Sequence, residues 1–275
     1  MNSMGKIKIF ILELFLWVSS LIVLIPYLLV VLTSLKTSKE AGLFQLNLPS
    51  EIHFLDNYKI VFEKGNVLLS FYNSIVITAV SVVIILVSSA LLSFYIARVK
   101  SRFSSFLYVF FVMGMMAPIS LVTTYQLLES LGLIDTFIGV VFIYASIMIP
   151  FAAFIFVGFV KTIPMEMDEA AIIDGSGSFR LFFSIILPLL KPVIFTNLIL
   201  VFMAIWNDAH IILFFLSNSD SWTMPLNIYR FFSYYRADWN YIFGSVFLTT
   251  IPVLILYMFG QKYIIAGMVS GAVKG

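Results

Sequence analysis

The sequence predicts an all-α membrane protein with six transmembrane helices and one short surface helix between the fourth and the fifth. Three observations carry that prediction. Of 275 residues, 61% are hydrophobic and only 11% are charged, with a mean hydropathy of +1.07, whereas soluble domains carry about a quarter charged residues. The charges are clustered, and the windows between them reach the roughly 20 apolar residues that a helix needs to cross the hydrocarbon core. Within those windows, as at residues 74–92, apolar side chains fall on every face. Barrel strands would instead alternate over roughly 10 residues.

Six windows qualify, at approximately 9–34, 68–97, 103–128, 137–160, 193–216 and 241–261. The first follows Lys6 and Lys8, a start that can also open a secretory signal peptide. Its apolar run exceeds the roughly 7 to 15 residues of a signal core and no small-x-small cleavage site follows, so it reads as the first membrane helix. Pro26, Pro118, Pro150 and Pro252 fall inside windows, where each removes a backbone hydrogen bond and tends to kink a helix. Bent helices suit a moving pore. They are also ordinary wherever neighbouring helices re-satisfy the freed carbonyls. No repeat, low-complexity tract or linker divides the chain, which reads as a single membrane domain over 1–275.

With six crossings the loops alternate sides. One face collects ten basic residues, among them Arg98, Lys100, Arg102, Lys161, Arg180 and Lys191; the other holds six, four of them in one long loop. The positive-inside bias puts the first face, and both termini, in the cytoplasm.

Several function classes are excluded. A net charge of +2 with no basic stripe offers nothing to nucleic acid. Cysteine is absent, and His53 and His210 are far apart, so neither a thiolate nor a histidine metal cluster is available. No GxxxxGK[ST] loop is present, so any nucleotide has to be held by another polypeptide. Without clustered His or Cys or paired intramembrane Asp, no catalytic centre is expected.

Glu13 and Asp208 are the only acids inside the windows. A mid-membrane Asp costs about 2.5 to 3.5 kcal/mol on insertion scales and so needs a polar path or partner. Trp206, Asn207 and Asp208 are candidates to line a solute route; a structural hydrogen bond from Asp208 to a neighbouring helix is the other reading. In the external loop 217–240, Trp222, Tyr229, Tyr234 and Tyr235 suit either sugar stacking and protein contact or an interfacial aromatic belt.

The cytoplasmic segment 161–191 is the sizeable polar–apolar mixed stretch on that face. Pro164 can occupy a first helical turn, Glu166, Asp168 and Glu169 place negative charge at the positive end of a helix dipole, and Gly175 is a natural stop. A second short helix is expected from Ser178 to Pro188. Ala170, Ala171 and Gly175 let another surface approach the backbone. Ile172 and Ile173 add apolar area worth roughly 1.5 to 3 kcal/mol per fully buried side chain.

Glu169, Ala170, Ala171, three residues, Gly175, nine more, Ile185, one more, Leu187 and Pro188 resemble the EAA motif of binding-protein-dependent ABC importer permeases. Asn57 with Tyr58, Asn73 with Ser74, Ala97 with Arg98, Asp174 with Gly175, Trp206 to Asp208, and the closing Gly271, Ala272, Val273, Lys274 and Gly275 are similar to carbohydrate permeases of the MalG-like type. The resemblance implies that the EAA segment is a coupling helix seated in a cleft of an ATPase subunit, with Glu169 as polar contact and Gly175 shaping the turn. It further implies that the tail 271–275 reaches the ATPase dimer and that loop 217–240 enters the sugar cleft of a binding protein. Implied partners are a second, non-identical permease, two ATPase subunits that hold ATP and Mg²⁺, and an extracytoplasmic binding protein. The expected cargo is a sugar, di- or oligosaccharide, crossing a bacterial or archaeal cell membrane. A secondary transporter or channel subunit working without an ATPase is the alternative; it leaves the acidic, alanine-containing loop unexplained.

Overall fold

The computed structural model describes residues 3–233 and 236–272, with side chains for 9–232 and 237–261. The helices run, in order, α1 (Ser3–Ser34), α2 (Ser38–Ala41), α3 (Phe54–Lys64), α4 (Val67–Arg98), α5 (Arg102–Met116), α6 (Leu121–Ser130) and α7 (Phe137–Val160). They continue with α8 (Glu166–Ile173), α9 (Ser178–Arg180), a π-helical turn (Leu181–Ile186), α10 (Leu187–Leu189), α11 (Lys191–Trp206) and α12 (His210–Phe215). Two 3₁₀ turns (Ser219–Ser221, Met224–Phe231) and a two-residue ribbon, β1 (Phe232–Ser233) paired antiparallel with β2 (Arg236–Ala237), lead to α13 (Trp239–Ala272).

Four helices are each long and apolar enough to cross a membrane: α1, α4, α7 and α13. The third and fifth predicted windows are not single helices. Residues 103–128 break between α5 and α6 with a bend of 116°, because Pro118 cannot continue a helix and Ala117 is already extended at ψ 119°. Residues 193–216 break at Asn207, and the preceding pair, Ser178–Leu189 and Lys191–Trp206, is bent by 74°. The six crossings stand if each bent pair is one crossing. The second surface helix does not stop at Pro188 but runs to Leu189; the wide π turn before it accommodates a ring that donates no N–H. The last helix extends past the predicted 261 to Ala272.

The chain forms two contact units. One comprises Met1–Leu69 with Leu226–Ile251. Its long loop between α1 and α4 is built rather than loose: α3 turns Tyr58 and Val61 inward, and Asn57 is 4% exposed. Asn57 Nδ2 donates to the Ser34 and Lys36 carbonyls, both at 2.9 Å, while its Oδ1 accepts from Asn240 Nδ2 at 2.9 Å. Lys36, 1% exposed, is held by the Gln45 carbonyl at 2.7 Å and Asn47 Oδ1 at 2.6 Å.

The other unit comprises Ser70–Pro225 with Pro252–Gly275. Its organising feature is a stripe of small polar residues along α4: Ser70, Ser74, Thr78, Ser81, Ser89 and Ser93 are all buried, one helical turn apart except where Ile85 takes the place between Ser81 and Ser89. Ser89 and Ser93 donate to the Ile149 and Ala153 carbonyls of α7 at 3.3 and 3.0 Å. Small side chains let helices approach closely in lipid, where apolar area alone drives no association.

Replacing Asn57 by alanine strands two buried carbonyls and the Asn240 amide, each worth about 1 to 3 kcal/mol when left unpaired. Asn57→Ala should lower stability by at least about 3 kcal/mol, read as a fall in the midpoint of thermal unfolding of the purified protein.

Candidate functional site

Segment 161–191 begins where α7 ends at Val160, with Lys161 as the C-cap of α7. Helix α8 has no side-chain cap at Met165, and Glu166, Asp168 and Glu169 occupy its first turn, where negative charge meets the exposed amides. Its end is built by backbone alone. The Gly175 amide donates to Ile172 O at 2.9 Å and the Ser176 amide to Ala171 O at 2.9 Å, the paired bonds of a Schellman stop. Gly175 has φ +78°, a conformation in which a side chain is strained.

The helix has two distinct sides. Ile172 and Ile173 are 60% and 85% exposed, and Glu169, Ala170, Asp174 and Gly175 are exposed with them. Ala171 departs from the expectation that both alanines offer close approach to a partner: it is 5% exposed and belongs to a core cluster with Phe156, Val160, Ile163, Leu181, Phe182 and Ile186. Ile185 and Leu187 pack against the same cluster, leaving only Pro188 of that trio exposed. The eight motif residues therefore divide into an outward surface, Glu169, Ala170, Asp174, Gly175 and Pro188, and an inward foundation, Ala171, Ile185 and Leu187.

The foundation is fastened by a pair that sequence reasoning missed. Arg98, the last residue of α4, meets Asp168 in a two-point contact: Nε lies 2.6 Å from Oδ2, and Nη2 donates to Oδ1 at 3.2 Å. Both side chains are 9% exposed. Arg98 Nη1 also donates to the Ile163 carbonyl at 3.1 Å, so one guanidinium grips both the approach to α8 and its first turn. Asp168 reads in the sequence as one of three acids at a helix start. Nothing in a separation of 70 residues marks its partner, beyond both lying at cytoplasmic helix ends.

The other candidates do not form one site. Trp206 is 1% exposed, stacked on Phe202 with centroids 5.3 Å apart, and is a core residue. Asn207 caps α11 and donates to Met203 O at 2.9 Å. Asp208 Oδ1 accepts from the Tyr144 hydroxyl at 3.1 Å and from the Ile211 amide at 2.8 Å, joining α7 to the start of α12. Loop 217–240 is pinned to α4: Asn73 Nδ2 donates to Asp220 O at 2.7 Å and Trp222 O at 3.1 Å, and Ser74 Oγ accepts from the Met224 amide at 2.8 Å. Tyr229 is 47% exposed, while Tyr234 and Tyr235 lie outside the described residues. Of the tail, Gly271 and Ala272 end α13, and Val273, Lys274 and Gly275 lie outside the described residues.

Removing one member of a buried ion pair leaves the other charge uncompensated, at a cost of about 3 to 5 kcal/mol. Arg98→Ala should therefore destabilise by roughly that amount, whereas Arg98→Met with Asp168→Leu should cost much less. Urea unfolding of the α8 region, followed by protease susceptibility near Lys161, distinguishes the two.

Residues 89–270 match the family described as binding-protein-dependent transport system inner membrane component. The chain is 34% identical to AmyC of Thermoanaerobacterium thermosulfurigenes, named a probable starch degradation products transport system permease protein, over 94% of each chain. It is 34% identical to MsmG of Streptococcus mutans, a multiple sugar-binding transport system permease protein, over 100% of each. Among solved structures, a chain of a bacterial ABC transporter involved in the import of the acidic polysaccharide alginate superimposes with a TM-score of 0.81, covering 96% of this chain and 98% of that one at 20% identity.

Proposed function

The chain belongs to the binding-protein-dependent transport system inner membrane component family, and from that membership we propose that it forms half of the pore of an ATP-driven sugar importer and takes its stroke through α8. As a member it is an integral inner-membrane permease, a transport subunit and not an enzyme. The cargo is a di- or oligosaccharide handed over by an extracytoplasmic binding protein; the systems named for its relatives carry starch products and multiple sugars. Both termini face the cytoplasm, and a second, non-identical permease completes the pore. ATP and Mg²⁺ are held by two partner ATPase subunits, consistent with the absence of a phosphate-binding loop from this sequence.

The observation that carries the reading is the two-sidedness of α8. A docking knob has to present apolar area outward while being rigidly fixed inward. Ile172 and Ile173 supply the first, and the Arg98–Asp168 pair with buried Ala171 supplies the second. Closure of the ATPase dimer then moves α8 and the core cluster together, and α4, α7 and α11 carry that motion into the membrane. Glu169 contributes the polar contact at the rim of the ATPase cleft, and Trp206 to Asp208 mark the break in the fifth crossing where the solute route is to be sought. Trp222, Tyr229, Tyr234 and Tyr235 belong to the loop offered to the binding protein, and 271–275 to the tail offered to the ATPase.

Affinity purification from membranes tests this directly. Ile172→Asp with Ile173→Asp removes two apolar contacts worth roughly tenfold each, so recovery of the ATPase should fall by a factor of ten or more while the amount of inserted permease is unchanged. Gly175→Pro, whose ring cannot adopt φ +78°, should do the same. Equal recovery with both variants, or sugar uptake by vesicles holding no ATPase, overturns the reading. In the reconstituted complex, a di- or oligosaccharide with its binding protein should stimulate ATP hydrolysis more than a monosaccharide does.

A further inference from the structure

A cavity of about 750 Å³ lies close in the chain to Arg98, where three chain segments meet at the helix ends assigned to the cytoplasm. The end of α4 supplies Lys100, the start of α5 supplies Ser101, Arg102 and Ser105, and the end of α7 supplies Lys161, with Tyr108 between them. Among the described residues none of these three cations forms an ion pair. Arg98, one turn away in sequence, is by contrast already neutralised by Asp168. Like charges converging on one cavity repel unless an anion joins them.

We propose that this cavity binds the headgroup phosphate of an anionic phospholipid of the cytoplasmic leaflet. Its chemistry suits a phosphodiester. Arg102 can form a two-pronged contact with two phosphate oxygens, and the lysines act as point charges. Lys161 is steered into place by the Tyr108 ring, with Nζ 5.1 Å from the ring centroid. Ser101 Oγ accepts from the Ser104 amide at 3.0 Å and so keeps its own proton to donate. The same residue caps the 15-residue α5, whose positive dipole end adds to the field.

A lipid, rather than a free phosphate, follows from what continues beyond the cavity. Ser105, Val109 and Met113 fall on one face of α5 at four-residue spacing, and Val109 and Met113 are 52% and 55% exposed. An acyl chain attached to a phosphate in the cavity has that strip to lie along. Basic pockets between helices on the cytoplasmic side are the places where anionic headgroups gain most, at roughly fivefold in binding for each cation near the surface. Lys161 also begins the segment that carries α8. On the coupling reading, an occupied cavity fixes the root of that lever to the leaflet; the lipid binding itself does not depend on that reading.

The test uses the full-length chain purified with its partner subunits and delipidated in detergent. Native mass spectrometry measures retention of phosphatidylglycerol against phosphatidylcholine, for the wild type and for Lys100→Gln/Arg102→Gln/Lys161→Gln. A charge-matched control, Lys39→Gln/Lys59→Gln/Lys64→Gln, changes the long loop between α1 and α4 instead. The wild type and the control should prefer phosphatidylglycerol, and the first variant should lose on the order of a hundredfold in that preference with its thermal unfolding midpoint unchanged, since all three side chains are exposed. Equal retention by the first variant, or loss in both variants, overturns the proposal. So does displacement by inorganic phosphate at the concentration that displaces the lipid, which marks a free-anion site. Reduced ATPase recovery by the first variant with lipid binding intact assigns the cations to a protein contact and overturns it too.

Discussion

The contact on which the α8 end of this protein depends is the buried pair between Arg98 and Asp168. A pair of this kind adds little net stability, because desolvating two charges offsets much of their attraction. Its value lies in registry. The guanidinium fits its partner in one geometry, with Nε and Nη2 facing the two carboxylate oxygens, and a third donor fixes the Ile163 carbonyl. An eight-residue helix is too short to hold itself in water, so without that grip and the burial of Ala171, α8 would have no fixed direction. With them, its exposed isoleucines stand on a base continuous with α4, α7 and α11.

Lipid as solvent explains how the crossing helices are organised behind that base. In water an inward face is recognised by being apolar. In α4 the inward face is instead mixed, with Ser70, Ser74, Thr78, Ser81, Ser89 and Ser93 buried beside Ile77, Ile85 and Ala90, while Leu68, Val80, Val83, Val87 and Leu91 are exposed. Helix α1 goes further, with none of its most apolar stretch buried. Such a helix gains nothing from packing inward by hydrophobicity and is free to face lipid or another subunit.

This inversion also sets how much was legible in the sequence. The apolar windows gave the crossings, because length and charge spacing are one-dimensional properties. The turn at Gly175 was legible for the same reason: a glycine after a short helix marks a left-handed stop, and φ +78° bears this out. The direction in which Ala171 points was not, since an alanine fits equally well against a core or a partner. Nor was the external helix α3, whose apolar residues are too few to announce a buried face and whose position is set by Asn57 bonding to chain 21 and 23 residues earlier. Asn73 and Ser74 likewise show their purpose only in space, where they hold a loop about 150 residues away in sequence.

The two broken crossings follow one further rule. Backbone freed inside a membrane protein has to be satisfied by something other than water, so a break is stable only where polar groups are supplied. At the break between α11 and α12 Asn207 returns a bond to the Met203 carbonyl, and Asp208 takes the Ile211 amide, in the first turn of the next helix, and the hydroxyl of Tyr144. The sequence marks Asp208 as a costly residue that needs a reason. Its carboxylate is that reason: it accepts from an amide in the first turn of α12 and ties the break between α11 and α12 to α7.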